Sequence, residues 1–219
     1  FRAASDTWPG RTFDVVAQAA KHCSIQVLVG MGEVAGDSLY NSIACIGSNG
    51  ELVSRYRKLH LFACEPGRED IYCLPGESLG YVDLGEIRCG LSICFDLRFP
   101  ELYRRQAMDG ATAFVNCAAW SKVRMLHWKS LAIARAIENQ CYFIGVNRVG
   151  ADEDFHMGGG SLVVGPSGEV LIEGGSEQGL FTAEIDLAEV APVRRQIPVL
   201  ECRRADIFGS LGQEPSDGS

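Results

Sequence analysis

Apolar positions along this chain switch repeatedly between helical spacing and an every-second-residue spacing. In residues 11–22, Phe13, Val16, Ala19 and Ala20 recur at helical intervals, with Thr12 placed to cap the first turn. Residues 24–30 read as a strand, and 41–46 and 52–56 as two more. The last two are joined through Gly47-Ser48-Asn49-Gly50, whose Asn-Gly pair suits a type I′ hairpin. Residues 59–78 have no period and contain Pro66, Gly67, Pro75 and Gly76; a loop of that length predicts a functional role. Short strands follow at 81–84 and 87–93, a helix at 100–108 and an apolar strand at 112–117. Residues 125–140 read as a helix with Leu131, Ala134 and Ile137 facing inward, followed by a strand at 141–146. The rest is β-rich, with strands at 161–164, 169–172 and 180–185. A helical turn at 186–190 is limited by Pro192. Strands alternating with helices, then hairpins, predict an α/β protein with a mixed sheet.

Composition narrows the class. A length of 219 residues predicts one domain, over 1–208, with a polar, mobile tail at 209–219. The chain is 47% hydrophobic and 22% charged, the balance of an ordinary globular protein, with no apolar run long enough to span a membrane. A net charge of -8 offers no basic footprint for nucleic acid or an anionic membrane, so the expected partner is a small molecule. Nine cysteines, an odd number without CxxC pairs, predict reduced thiols in a cytoplasmic setting and no metal site.

One cysteine stands apart. Cys94 falls between the strand at 87–93 and a helix opened by Pro100-Glu101, where proline and an acidic residue suit the first turn. At such a junction free backbone N–H groups can face a reacting oxygen, so Cys94 is a candidate nucleophile; otherwise it is one more small buried apolar residue. A thiol of ordinary pKa needs a cation or base beside it. None of the four histidines has a setting that nominates it. Lys58, where a strand gives way to the long loop, can stabilise thiolate and oxyanion; otherwise it is a solvated lysine in a basic run. Asp96, Arg98 and Glu101 read as an arginine–carboxylate cluster that fixes the turn carrying Cys94. Arg135 and Glu138 read as an ion pair on one helix or part of a subunit interface, and Gly158-Gly159-Gly160 as a bulge or close packing.

Arg55-Tyr56-Arg57-Lys58-Leu59-His60 together with Gly90-Leu91-Ser92-Ile93-Cys94-Phe95-Asp96-Leu97-Arg98-Phe99-Pro100-Glu101 resembles the nitrilase (carbon–nitrogen hydrolase) superfamily. The likeness extends from Gly10 to Phe208 through Leu74-Pro75-Gly76-Glu77, His127-Trp128, Ala134-Arg135-Ala136-Ile137-Glu138-Asn139-Gln140 and Asn147-Arg148-Val149-Gly150. It is strongest to the ω-amidase branch, which hydrolyses the terminal amide of small dicarboxylic acid monoamides. N-carbamoyl amino-acid hydrolases and aliphatic amidases are the alternatives, and a catalytically impaired binding module is another.

The resemblance implies a four-layer α-β-β-α sandwich and a Glu–Lys–Cys catalytic set needing no metal or organic cofactor. Cys94 would be the nucleophile and Lys58 the oxyanion-stabilising lysine. Glu69 would be the auxiliary glutamate, with Glu65 its competitor. The Phe95 N–H would complete the oxyanion site, and Ala119 and Trp120 would line the substrate pocket. A homodimer or higher homo-oligomer is implied as well. The family's general-base glutamate lies ahead of the point where this chain starts. The expectation is therefore a domain lacking that base and its first strands and helix. Loss of a base costs on the order of 10²–10⁴ in rate. Glu33 corresponds to a different family position.

Overall fold

The computed structural model describes residues 4–65, 67–152 and 155–209; the tail expected at 209–219 lies outside them beyond Gly209. Its first sheet is an antiparallel meander of β1 (Val27–Ala35), β2 (Ser38–Ile46) and β3 (Leu52–Arg57). Gly36, at φ +60°, makes the tight turn between β1 and β2. The second sheet runs in order through β4 (Gly80–Leu84), β5 (Ile87–Ile93), β6 (Ala113–Ala118), β7 (Tyr142–Asn147), β8 (Leu162–Val164) and β9 (Val170–Glu173). Strands β5, β6 and β7 are parallel. Each of their crossovers therefore carries a helix, α2 (Pro100–Met108) and α3 (Met125–Asn139).

Side-chain alternation builds four layers from these elements. Along β6, Ala113 and Val115 face the first sheet while Phe114 faces α2 and α3; Tyr142 and Phe143 divide in the same way. On β2, Ile43 and Cys45 point between the sheets, whereas Ala44 and Ile46 meet Phe13, Ala17 and Ala20 of α1 (Arg11–Cys23). The three apolar clusters are thus the three interfaces of an α-β-β-α sandwich, as the resemblance implies. Trp128 of α3 is the largest fully buried side chain in the cluster between the second sheet and its helices. Burying a large apolar side chain of this kind contributes about 1.5–3 kcal/mol.

Several local expectations change. Thr12 does not cap α1: Gly10 occupies that position, and the Asp6 carboxylate accepts the Thr12 N–H (3.2 Å). The buried stripe of α3 is Trp128, Ala132, Arg135, Ala136 and Asn139, while Ile137 is 48% exposed. Arg135 turns inward because its guanidinium donates to the Leu97 carbonyl as well as pairing with Glu138. Residues 180–185 form no strand, since no neighbouring strand pairs with them, and Leu180 is exposed. Pro192 stands in the first turn of α4 (Val190–Gln196), where its missing N–H costs nothing. Gly158, Gly159 and Gly160 are close-packed as expected; a β-carbon on Gly158 would fall 2.0 Å from the Met125 sulfur.

Candidate active site

At the carboxyl ends of β5, β6 and β7, beside β1 and the long loop, lies a cavity of about 710 Å³. Cys94, Lys58, Glu69, Phe95, Ala119 and Trp120 all line it. Residues far apart in sequence therefore meet in one place, where ligands of open α/β sheets commonly bind.

Cys94 opens a single 3₁₀ turn, Cys94–Arg98, directly after β5. Its φ of +46° is left-handed, a conformation that a residue with a β-carbon adopts only when its surroundings hold it. Two acceptors do so. The Asn116 carboxamide oxygen takes the Cys94 N–H (3.1 Å), and the Asp96 carboxylate takes the Ile93 N–H (2.9 Å). Asn116 is itself oriented by donating to the Ser92 and Tyr103 hydroxyls. Burial pushes the Cys94 thiol above its ordinary pKa; the Lys58 charge and the Ala119 N–H pull it back without overcoming that rise. At rest this is a thiol, and a thiol becomes a strong nucleophile only when a base takes its proton.

Lys58 follows β3 and is pinned on both sides: its N–H donates to the Asn41 carbonyl, and its carbonyl accepts the Gly76 N–H, each at 2.8 Å. Gly76 is needed for that approach, since a β-carbon there would lie 2.3 Å from the Arg57 carbonyl oxygen. The Lys58 ammonium, almost wholly buried, meets Glu69 Oε2 at 2.5 Å. The same oxygen accepts the Phe62 N–H, and Glu69 Oε1 accepts the Asn41 amide. Glu65 is exposed, so the geometry selects Glu69 as the partner of Lys58. Burying an ion pair is costly unless hydrogen bonds complete it, and here they do.

The cluster expected from Asp96, Arg98 and Glu101 does not form. Asp96 binds Tyr56 and His60, and Glu101 is exposed. Arg98 turns into the cavity, its guanidinium 4.7 Å over the Trp120 ring and 3.3 Å from His127 Nδ1. Burial and the nearby charge of Arg124 both pull the Arg98 pKa down. Arg124 also lines the cavity, over the Phe62 ring. Among the described residues neither arginine has a carboxylate within ion-pair distance, unlike Arg148, which pairs with Asp152. Glu33 is a structural carboxylate, holding Arg55, Arg57 and Ser42 across three strands. Asn147, which the sequence offers only as part of the Asn147-Arg148-Val149-Gly150 motif and with no site role, accepts the Trp120 N–H (2.6 Å) through its amide oxygen and donates to the Gly159 carbonyl (2.6 Å), shaping the cavity wall.

The carbon–nitrogen hydrolase family profile matches residues 1–195. A 2-oxoglutaramate amidase of Bacillus subtilis is 40% identical over 87% of this chain and 73% of its own length. The human omega-amidase NIT2 is 35% identical over 94% of this chain and 78% of its own. A carbon–nitrogen hydrolase structure from Helicobacter pylori superposes with a TM-score of 0.86 at 26% identity, covering 91% of this chain and 75% of that one. Fold, cavity and likeness converge: this chain belongs to the carbon–nitrogen hydrolase family and is an amidase-type hydrolase.

Proposed function

We propose that the protein releases ammonia from the terminal amide of a small dicarboxylic acid monoamide, through a thioester on Cys94. The observation that carries this reading is the pair Arg98 and Arg124, two cations that have no carboxylate partner among the described residues and that line the cavity holding the thiol. Such a pair favours a substrate whose far end bears a carboxylate, because guanidinium groups bind planar anions strongly. The names of the most similar relatives agree with an acid-bearing amide.

Cys94 Sγ attacks the amide carbon. The Lys58 ammonium and the Phe95 N–H hold the oxyanion, and Ala119 and Trp120 bound the acyl group. The C–N bond breaks as the thiol proton passes to the leaving nitrogen, which departs as ammonia, and water then hydrolyses the thioester to release the acid and restore the thiol. Glu69 is the one carboxylate among the described cavity-lining residues, and Lys58, Asn41 and the Phe62 N–H already occupy it. It acts as a positioning group for Lys58; the base glutamate of the family pattern is a separate residue. The reaction needs no metal or organic cofactor. Nine unpaired cysteines support a reducing, cytoplasmic location. Exposed Val123, Leu126, Ile207 and Phe208 support a homo-oligomer, which light scattering on the purified chain would test.

The decisive experiment measures ammonia release from α-ketoglutaramate and succinamate, against a neutral aliphatic amide and an N-carbamoyl amino acid. Release from the acid amides that is lost in Cys94→Ala is the expected result. Release that survives in Cys94→Ala, or a preference for the neutral amide, would overturn the assignment.

A further inference from the structure

Asp96 is fully buried, yet no lysine or arginine pairs with it among the described residues. Its four close partners are all donors. Oδ1 accepts the His60 N–H (3.0 Å) and faces His60 Nδ1 (2.8 Å), which fits the tautomer with hydrogen on Nδ1. Oδ2 accepts the Tyr56 hydroxyl (2.7 Å) and the Ile93 N–H (2.9 Å). The Tyr56 oxygen in turn accepts the Leu59 N–H (3.3 Å), and the His60 ring lies flat on Phe99 with centroids 3.7 Å apart.

Where these donors sit in the chain matters. Tyr56 stands two residues before Lys58 and His60 two after it; Ile93 immediately precedes Cys94 and Asp96 follows it by two. One carboxylate therefore ties the chain on both sides of the lysine to the chain on both sides of the cysteine. An apolar contact could join the same segments without desolvating a charge. Four directed bonds instead fix a relative orientation, and the one from the Ile93 N–H, together with the Asn116 bond to the Cys94 N–H, holds Cys94 in its left-handed conformation.

We infer that Asp96, His60 and Tyr56 form a positioning unit that sets the distance and direction between the Lys58 ammonium and the Cys94 sulfur. The unit touches neither substrate nor reacting atoms; it acts through Lys58 and Cys94. This inference rests on the reading of those two residues as the reacting pair. With one strut removed, the ammonium drifts from the sulfur, and the thiolate loses the cation that opposes burial.

Site-resolved alkylation of the full chain by iodoacetamide, followed against pH with the other eight cysteines as internal controls, tests this without relying on turnover. Tyr56→Phe and His60→Phe keep the rings, including the stack on Phe99, and remove one bond each. They are gentler than Asp96→Asn, which leaves donors facing an amide. The expected result is an approximately tenfold slower alkylation of Cys94 at a fixed pH near neutrality in each, with the rise in rate displaced to higher pH. In a Lys58→Met background the same substitutions should add little, because the cation they position is gone. His60→Asn, which can still donate to Asp96, should retain part of the rate that His60→Phe loses. A lower Tm with an unmoved alkylation profile, or full additivity with Lys58→Met, would overturn the inference and leave the reacting pair intact. A profile unmoved by Lys58→Met itself would overturn the reading of that pair, and the inference with it.

Discussion

Two sets of cations share the cavity and are treated in opposite ways. Lys58 is almost wholly buried, and its charge is matched by Glu69, whose oxygens are in turn engaged by Asn41 and the Phe62 N–H. Arg98 and Arg124 stand on aromatic rings, near each other, with no carboxylate to answer them among the described residues. A satisfied charge is held in one place and can serve a reaction that needs fixed geometry. Unanswered charges on a cavity wall are poised to be completed by a ligand. Under the function proposed above, the difference separates the part of the site that performs chemistry from the part that selects the molecule.

Substitutions on the two sides should therefore fail differently. Lys58→Met should lower kcat on acid amides by on the order of 10²–10³, the usual cost of losing an oxyanion donor, with KM changed far less. Steady-state kinetics on α-ketoglutaramate reads this directly, and a loss confined to KM would contradict the division. Arg124→Met and Arg98→Met should each reduce kcat/KM by about tenfold to a hundredfold through KM, and leave neutral amides within about twofold. Equal losses on acid and neutral amides would mean that the arginines support the fold and not the substrate.

The smallest effect belongs to Glu33, which answers arginines away from the chemistry. Burial alone would raise its pKa, but hydrogen bonds from Arg57 and Ser42 and the charges of Arg55 and Arg57 hold it below the ordinary 4.5. A depressed carboxyl stabilises the fold above its unfolded pKa, and that contribution is lost as the pH falls through the lower folded value. Glu33→Gln should cost about 2 kcal/mol at neutral pH, seen as a fall of roughly 4–8 °C in Tm. The gap from the parent should narrow as the pH drops below 4.5. A gap that stays constant with pH would remove charge from the explanation.

How much of this was legible in advance follows from the range of each interaction. The turn at Cys94, the Pro100 helix and most strands of both sheets depend on neighbours in sequence and fell close to where periodicity placed them, whereas the strand expected at 24–30 runs over Val27–Ala35. The α3 stripe was misassigned because Arg135 is buried through a carbonyl on another segment. The strand expected at 180–185 had local propensity and no partner. Asp96 and Arg98 were expected to bind each other, being two residues apart, and each found a more distant partner instead.

By itself the sequence determined the alternation of strands and helices and the strand-to-helix turn that carries a thiol, and its motifs carried the family resemblance that implied the four layers. The first two arise from side-chain period and local backbone preference, which neighbouring residues express without help. Only the tertiary structure decided that Glu69 and not Glu65 meets Lys58, that Asp96 joins His60 and Tyr56, and that Arg98 and Arg124 meet aromatic rings and no carboxylate among the described residues. Each outcome depends on which charges and donors the packed sheets bring within about 3 Å of one another, a distance that sequence separation does not encode.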